Sequence, residues 1–169
     1  RRGRGGTGGE SVIRPAEAAD IPAIHQLIRD LAEYEKALAE VTATEEDLHR
    51  ALLGEQPAVF AHVADAGGEV VGFALWFLNF STWTGQHGIY LEDLYVRPDQ
   101  RRSGLGRALL AELARICVAR GYPRLEWSVL DWNSPARGFY ASIGAVEKDD
   151  WTVNRLAGPA LRALAGPAS

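Results

Sequence analysis

Two adjacent carboxylates, Glu92 and Asp93, open the stretch Tyr90–Leu110, YLEDLYVRPDQRRSGLGRALL, in which a strand pattern runs into a basic, glycine-containing loop. On a strand over Tyr90–Val96, Glu92 shares a face with Tyr90, Leu94 and Val96. A carboxylate there either faces a cleft or needs a partner, because unpaired burial of charge is costly. Its plain role is a salt bridge to an arginine. Its chemical role is to bind a substrate ammonium and accept its proton. The loop that follows carries Arg101, Arg102, Gly104, Gly106 and Arg107. Glycines ahead of a helix let the backbone close round a ligand. The free N–H groups of the first helical turn, at the positive end of the dipole, bind phosphate. The stretch is therefore either an anion cradle fed by a carboxylate pair or a plain left-handed turn with a solvated basic face.

Other chemistries fit less well. No Lys-Ser or Lys-Thr follows the glycines, which excludes a P-loop. No third glycine stands at the spacing a dinucleotide fold requires. Tyr140, next to Phe139 on a later helix, is either a core tyrosine with a satisfied hydroxyl or a general acid. His25, His49, His62 and His87 lack zinc-ligand spacing and Cys117 has no partner cysteine, so no metal is expected. Ser103, Ser128 and Ser134 lie in no nucleophile-elbow pattern.

These residues need a scaffold, and the chain has the length for one domain with a core, at 169 residues. Arg1–Glu10 is Gly-rich and aperiodic, which predicts a flexible tail over residues 1–11 and one domain over 12–169. A short strand is predicted at Val12–Arg14. A helix follows with Asp20 as N-cap, Pro22 in its first turn and Ile21, Ile24, Leu27, Ile28 and Leu31 on one face. Thr44 with Glu45, Glu46 and Asp47 opens a second helix. Val59–Ala64 and Glu69–Asn79 form a hairpin about Asp65-Ala66-Gly67-Gly68. A helix with Leu105, Leu109, Leu113, Ile116 and Cys117 on one face follows the loop, then a buried strand at Leu125–Leu130. Asn133 or Ser134 caps a helix ending at Gly144, with weaker strands at Ala145–Glu147 and Trp151–Leu156. The order predicts an α/β fold, antiparallel first and parallel across Tyr90–Leu130.

Net charge is −4, and without Arg1, Arg2, Arg4 and Glu10 the remaining 15 basic and 21 acidic residues give −6. An acidic body disfavours nucleic acid and suits a cationic small substrate. No apolar run approaches a membrane span, and no apolar segment follows Arg1 and Arg2 as a secretion signal would require. A lone cysteine fits a reducing compartment, and a cytoplasmic protein is expected.

Leu94-Tyr95-Val96 followed by Arg101-x-x-Gly104-x-Gly106 resembles the acetyl-CoA motif of the GNAT superfamily of N-acetyltransferases. VIRPAEAAD from Val12, AEYEK from Ala32, STW from Ser81, YLED from Tyr90, LDWN from Leu130 and Phe139-Tyr140 resemble its diamine acetyltransferase family. That family comprises spermidine/spermine N1-acetyltransferases and thialysine N-epsilon-acetyltransferases. The resemblance implies a mixed sheet splayed at a bulge on the Tyr90–Val96 strand, with acetyl-CoA in the gap and helices on its flanks. It implies that the backbone around Leu94, Tyr95 and Val96 pairs with the pantetheine. The amides of Arg102, Ser103, Gly104, Leu105, Gly106 and Arg107, beside Arg101, would cradle the pyrophosphate. Asn133 and Ser134 would border the cofactor, and Tyr140 would protonate the departing thiolate. Glu92 would take the proton of the amine, and an N–H at the bulge would meet the developing negative oxygen.

Tyr34, Glu35, Trp83, Asp93, Asp149 and Trp151 resemble the acidic and aromatic lining of the amine channel. Asp149 stands where the family has a glutamate; its shorter side chain beside Lys148 disfavours long polyamines. AEYEK and STW lean towards the thialysine-type relatives. The implied activity is acetyl transfer to a primary amine of a small polyamine, diamine or lysine analogue, by a homodimer. Action on another amine, such as an amino acid or a protein N-terminus, and acyl-CoA sensing without turnover are the alternatives.

Overall fold

The computed structural model describes residues 9–167. Most of the expected tail, residues 1–8, lies outside the described residues. The chain divides into two compact units, the first ending at Leu130 and the second beginning at Asp131.

The first unit is built on a five-stranded sheet in the order β1-β2-β3-β4-β5, formed by Ser11–Pro15, Phe60–Ala66, Glu69–Ser81, Gln86–Val96 and Leu125–Trp127. The first three pairings are antiparallel and β4–β5 is parallel, so the sheet is mixed as expected. The β2–β3 turn takes Gly67 and Gly68 at positive φ, a backbone other residues avoid. Two helices precede the hairpin, α1 (Ile21–Tyr34) and α2 (Glu45–Leu53). A 3-10 turn over Pro98–Ser103 leads into α3 (Leu105–Arg120).

Packing follows the predicted periodicities. Ile21, Ile24 and Leu27 of α1, with Leu48 and Leu52 of α2, bury against Ala61, Val63, Phe73 and Tyr95. Each such side chain contributes about 1.5–3 kcal/mol. The alternate residues Ala64, Ala74 and Trp76 are buried outside that cluster. On that side the Arg120 guanidinium of α3 lies 5.9 Å from the Trp76 ring, so helices flank both faces. Leu109 and Leu113 of α3 are fully enclosed, and Cys117 is a buried free thiol.

Capping is correct for α2, where Thr44 and Asp47 exchange the reciprocal bonds of a capping box. Asp20 precedes α1 but does not cap it through its side chain. Its carboxylate instead accepts from Arg14 at 2.7 and 3.0 Å and from the Glu17 amide at 2.7 Å. Arg14 also reaches Asp65 at 3.2 Å. A buried charged partner outcompeted the helix terminus for this carboxylate.

The second unit holds α4 (Ser134–Ser142), capped by the Asn133 side chain accepting from the Ala136 amide, and α5 (Gly158–Ala165). Two expectations fail here. Neither Ala145–Glu147 nor Trp151–Leu156 forms a strand, and α5 was not foreseen. Strand propensity makes a strand only where an edge is available to pair, and this segment has no ladder among the described residues. Glu147 is engaged by the Arg137 guanidinium at 2.8 and 2.9 Å. The Leu125–Leu130 strand also shrinks to three residues, because its pairing with β4 stops at Leu91↔Trp127.

Candidate active site

The site grows from one irregularity in β4. Leu75 pairs with Asp93 and Trp76 with Leu91, so Glu92 is an extra residue with no partner on β3. A bulge of this kind breaks the two-residue alternation and re-aims the strand. The predicted face of Tyr90, Glu92, Leu94 and Val96 therefore does not exist. Tyr90 lies opposite Phe77, with ring centres 5.2 Å apart, and Asp93 and Tyr95 lie opposite Leu75 and Phe73. Those three β4 residues thus share the α1 face, and Leu94 and Val96 point the other way. Beyond the bulge no strand pairs with 92–96 on the β5 side among the described residues. A short open edge results, with main-chain donors and acceptors aimed into a gap.

Two carboxylates act on a third at the bulge. Burial pushes the Asp93 carboxyl up to about 6, and the charges of Glu92 and Glu35 push the same way. Glu35, directly after the end of α1, is itself raised by burial. Among the described residues, none of the three has an ion-pair partner. The salt bridge that would make Glu92 structural is absent from that set. The backbone that delivers Glu35 is tightly wound: Lys36 takes φ +61, where glycine is usual, and its amide donates to Glu33 O while that of Ala37 donates to Ala32 O.

The basic loop follows the open edge. Gly104 sits at φ +79, and a Cβ added there would meet nothing within 4 Å. The left-handed residue turns the chain into α3, whose first-turn amides at Leu105, Gly106 and Arg107 have no partner within the helix by geometry. These features fit a diphosphate held on main-chain N–H groups beside an extended thiol arm on the open edge. Arg101, though exposed, is held by contacts on β4 and on α1. Its Nε donates to Val96 O at 3.0 Å, and its guanidinium carbon lies 5.5 Å from the Tyr34 ring centre and 5.3 Å from that of Tyr95. The sequence offered no signal for this stack, since it joins residues 61 and 67 positions apart.

The remaining expected site residues are spread out. Trp83 is exposed at the tip of the β3–β4 hairpin. In the second unit, Asn133 and Ser134 open α4, and Tyr140 lies on it with its ring 5.6 Å from that of Phe139. Asp149 and Trp151 lie in the strandless segment, both exposed.

Comparison with known proteins bears on the family. The model of the Acetyltransferase (GNAT) family matches residues 21–145, crossing the boundary between the two units. The chain is 39% identical over 166 residues to the thialysine N-epsilon-acetyltransferase of Bos taurus, covering 92% of this chain and 97% of that one. It is 31% identical to an L-ornithine N5-acetyltransferase of Arabidopsis thaliana, covering 91% and 87%. Among solved structures, an integron cassette protein from the mobile metagenome of V. cholerae superposes with a TM-score of 0.77 at 27% identity, covering 95% of this chain and all of that one. With a family match over most of its length, and a relative at 39% identity that it covers almost end to end, this chain belongs to the GNAT family and is an acetyltransferase.

Proposed function

We propose that the protein transfers the acetyl group of acetyl-CoA to a primary amine of a lysine-like or short diamine substrate, of which thialysine is the model. The observation that carries this reading is the half-buried Asp93, flanked by Glu35 and Glu92 with no ion-pairing cation among the described residues, beside an open strand edge and a left-handed turn into free helix N–H groups. Uncompensated carboxylates of this kind call for a cationic ligand. The relatives named for thialysine and L-ornithine support a short amine with a second polar end.

Acetyl-CoA supplies the activated acetyl thioester. The amides from Arg102 to Arg107 hold its diphosphate, and the backbone of Leu94, Tyr95 and Val96 orients its thiol arm. Asn133 and Ser134, at the α4 N-terminus, border the arm. Glu92, the exposed member of the pair, binds the substrate ammonium, which is protonated at neutral pH because an alkylamine titrates near 10.4. Asp93, whose carboxyl is pushed up to about 6, takes one proton from the bound ammonium so that the neutral amine can attack, and the second N–H proton leaves to solvent as the amide forms. Tyr140 Oη donates a proton to the departing thiolate. Glu35, Tyr34, Trp83, Asp149 and Trp151 select the far end of the amine by charge and aromatic cover.

We place residues 12–169 in one functional domain, since the family match spans both units. The exposed Val146, Trp151 and Val153 of the second unit suit burial against a second copy of the chain, in a homodimer. The buried free thiol of Cys117 suits the cytoplasm. Among the described residues, no helix is long and apolar enough to cross a membrane.

The test is an amine panel assayed for CoA release, containing thialysine, lysine, ornithine, putrescine, spermidine and a peptide. Thialysine, lysine and ornithine should lead it. Gly104→Glu places a negative side chain in the cradle and strains the left-handed turn. Calorimetric acetyl-CoA affinity should fall at least about 100-fold, an oxyanion-sized loss of roughly 3 kcal/mol. A folded variant with unchanged affinity would remove the cradle from the site.

A further inference from the structure

One arginine of the loop is occupied away from any phosphate. Arg101, itself exposed, lays its guanidinium over two aromatic rings, Tyr95 on β4 and Tyr34 on the last turn of α1, while its Nε donates to the carbonyl of Val96. Tyr34 is followed immediately by Glu35, whose charge acts on Asp93. The turn bearing both is stiff: Glu35, Lys36 and Ala37 all donate back into α1, at 2.9, 3.1 and 2.8 Å. Displacing Tyr34 therefore displaces Glu35. On the other side, Arg101 belongs to the 3-10 turn Pro98–Ser103, which leads directly into Gly104 and the α3 N-terminus.

We propose that Arg101 is a positioning residue that couples the cofactor loop, through its stack on Tyr34, to the carboxylates at the end of α1, so that filling the loop sets the affinity for the amine. A ligand on the Arg102–Arg107 amides draws in the Pro98–Ser103 turn. Arg101 follows it and carries the Tyr34–Glu35 turn against β4. The guanidinium is suited to this because its planar face stacks on both rings while one edge N–H stays fixed to the main chain. Substrate order then has a physical cause: the amine site is completed only after the loop is filled. Coupling of this kind presupposes that the loop holds a diphosphate and the carboxylates hold an amine, as proposed above.

Coupling is a ratio of affinities and is measured without turnover. Titration calorimetry of the full chain gives the Kd of CoA alone, of thialysine alone, and of each in the presence of the other. For wild type the two should strengthen each other by the same factor, in the range of about 5–150-fold typical of coupled sites. Tyr34→Ala should bring that factor to near unity and leave binary CoA affinity close to wild type. Tyr34→Phe keeps the ring face and should restore the factor. Arg101→Lys keeps the charge but not the planar stack; it should uncouple the sites too, and it replaces Tyr34→Ala if that variant does not fold. A coupling factor unchanged in both Tyr34→Ala and Arg101→Lys, or absent from wild type, overturns the proposal with the site intact. Failure of wild type to bind CoA at all, or binding indifferent to Gly104→Glu, overturns the site itself.

Discussion

Two aspartates in one unit, both largely enclosed, meet opposite fates. At the junction of β1 and α1, Asp20 accepts two bonds from Arg14 and one from the Glu17 amide, and the Arg14 contacts hold its carboxyl below the usual range. At the β4 bulge, Asp93 has carboxylates for neighbours, and burial lifts it to about 6. Burial opposes ionisation in both places. The sign of the neighbouring charge decides whether the corner is mortar or a vacancy for a cation. Asp20 is paired within the chain; Asp93 has no ion-pair partner among the described residues.

The largest effect that would break this contrast is on turnover. Asp93→Asn should lower kcat/KM for thialysine by roughly 10²–10⁴-fold, the usual contribution of general acid–base catalysis. The acid limb near pH 6 in the wild-type pH–rate profile should vanish with it. A variant with near-wild-type rate and an unchanged limb would make Asp93 a bystander. The same substitution should raise the stability of the ligand-free protein. A folded-state carboxyl raised from 3.8 to about 6 favours the fold while protonated, and that advantage is lost as pH rises from about 4 to about 6. At pH 7 the asparagine variant should gain about 3 kcal/mol in urea unfolding, and nothing below pH 4.

Arg14→Ala should do the reverse, costing about 3–5 kcal/mol near neutrality because it leaves Asp20 buried and unpaired. The sign is again checked by pH. A depressed carboxyl stabilises the fold above its unfolded pKa, so the gap between wild type and variant should narrow as pH falls below about 4. Kinetic constants of the folded variant should be close to wild type; a large drop in kcat would erase the distinction between the corners. The smallest effect is expected from Glu35→Gln. Removing one repelling charge should move the acid limb down by less than about one pH unit, and an immobile limb would disconnect Glu35 from Asp93.

Much of this was legible in the residues. The apolar spacing of α1 and α3, the capping box at Thr44, the hairpin glycines and the order of strands and helices all follow from local rules, and local rules survive tertiary packing here. The left-handed entry into α3 was legible because glycine is the residue that permits it at Gly104. What was not legible depends on distant partners. A bulge at Glu92 has no compositional mark of its own, and only the family resemblance implied one. It separates Tyr90 from Leu94 and Val96, which strict alternation places together. Asp20 has the residue type and place of an N-cap, yet Arg14 claims it. Trp151-Thr152-Val153 has strand propensity without an edge to satisfy it, and Gly158-Pro159 before an Ala/Leu run marked a helix that periodicity in so short a segment hides.

The shortness of β5 has a consequence for handling the protein. Where pairing stops at Leu91, the main chain of 92–96, with no strand on its β5 side among the described residues, is a template for any extended peptide, including the same stretch of another molecule. Solubility is then a property of the liganded state. The protein should store and concentrate best with CoA present, and aggregate soonest when dialysed free of it. The carboxylates at the bulge put negative charge on that edge, so acid buffers that neutralise Asp93 should hasten the loss.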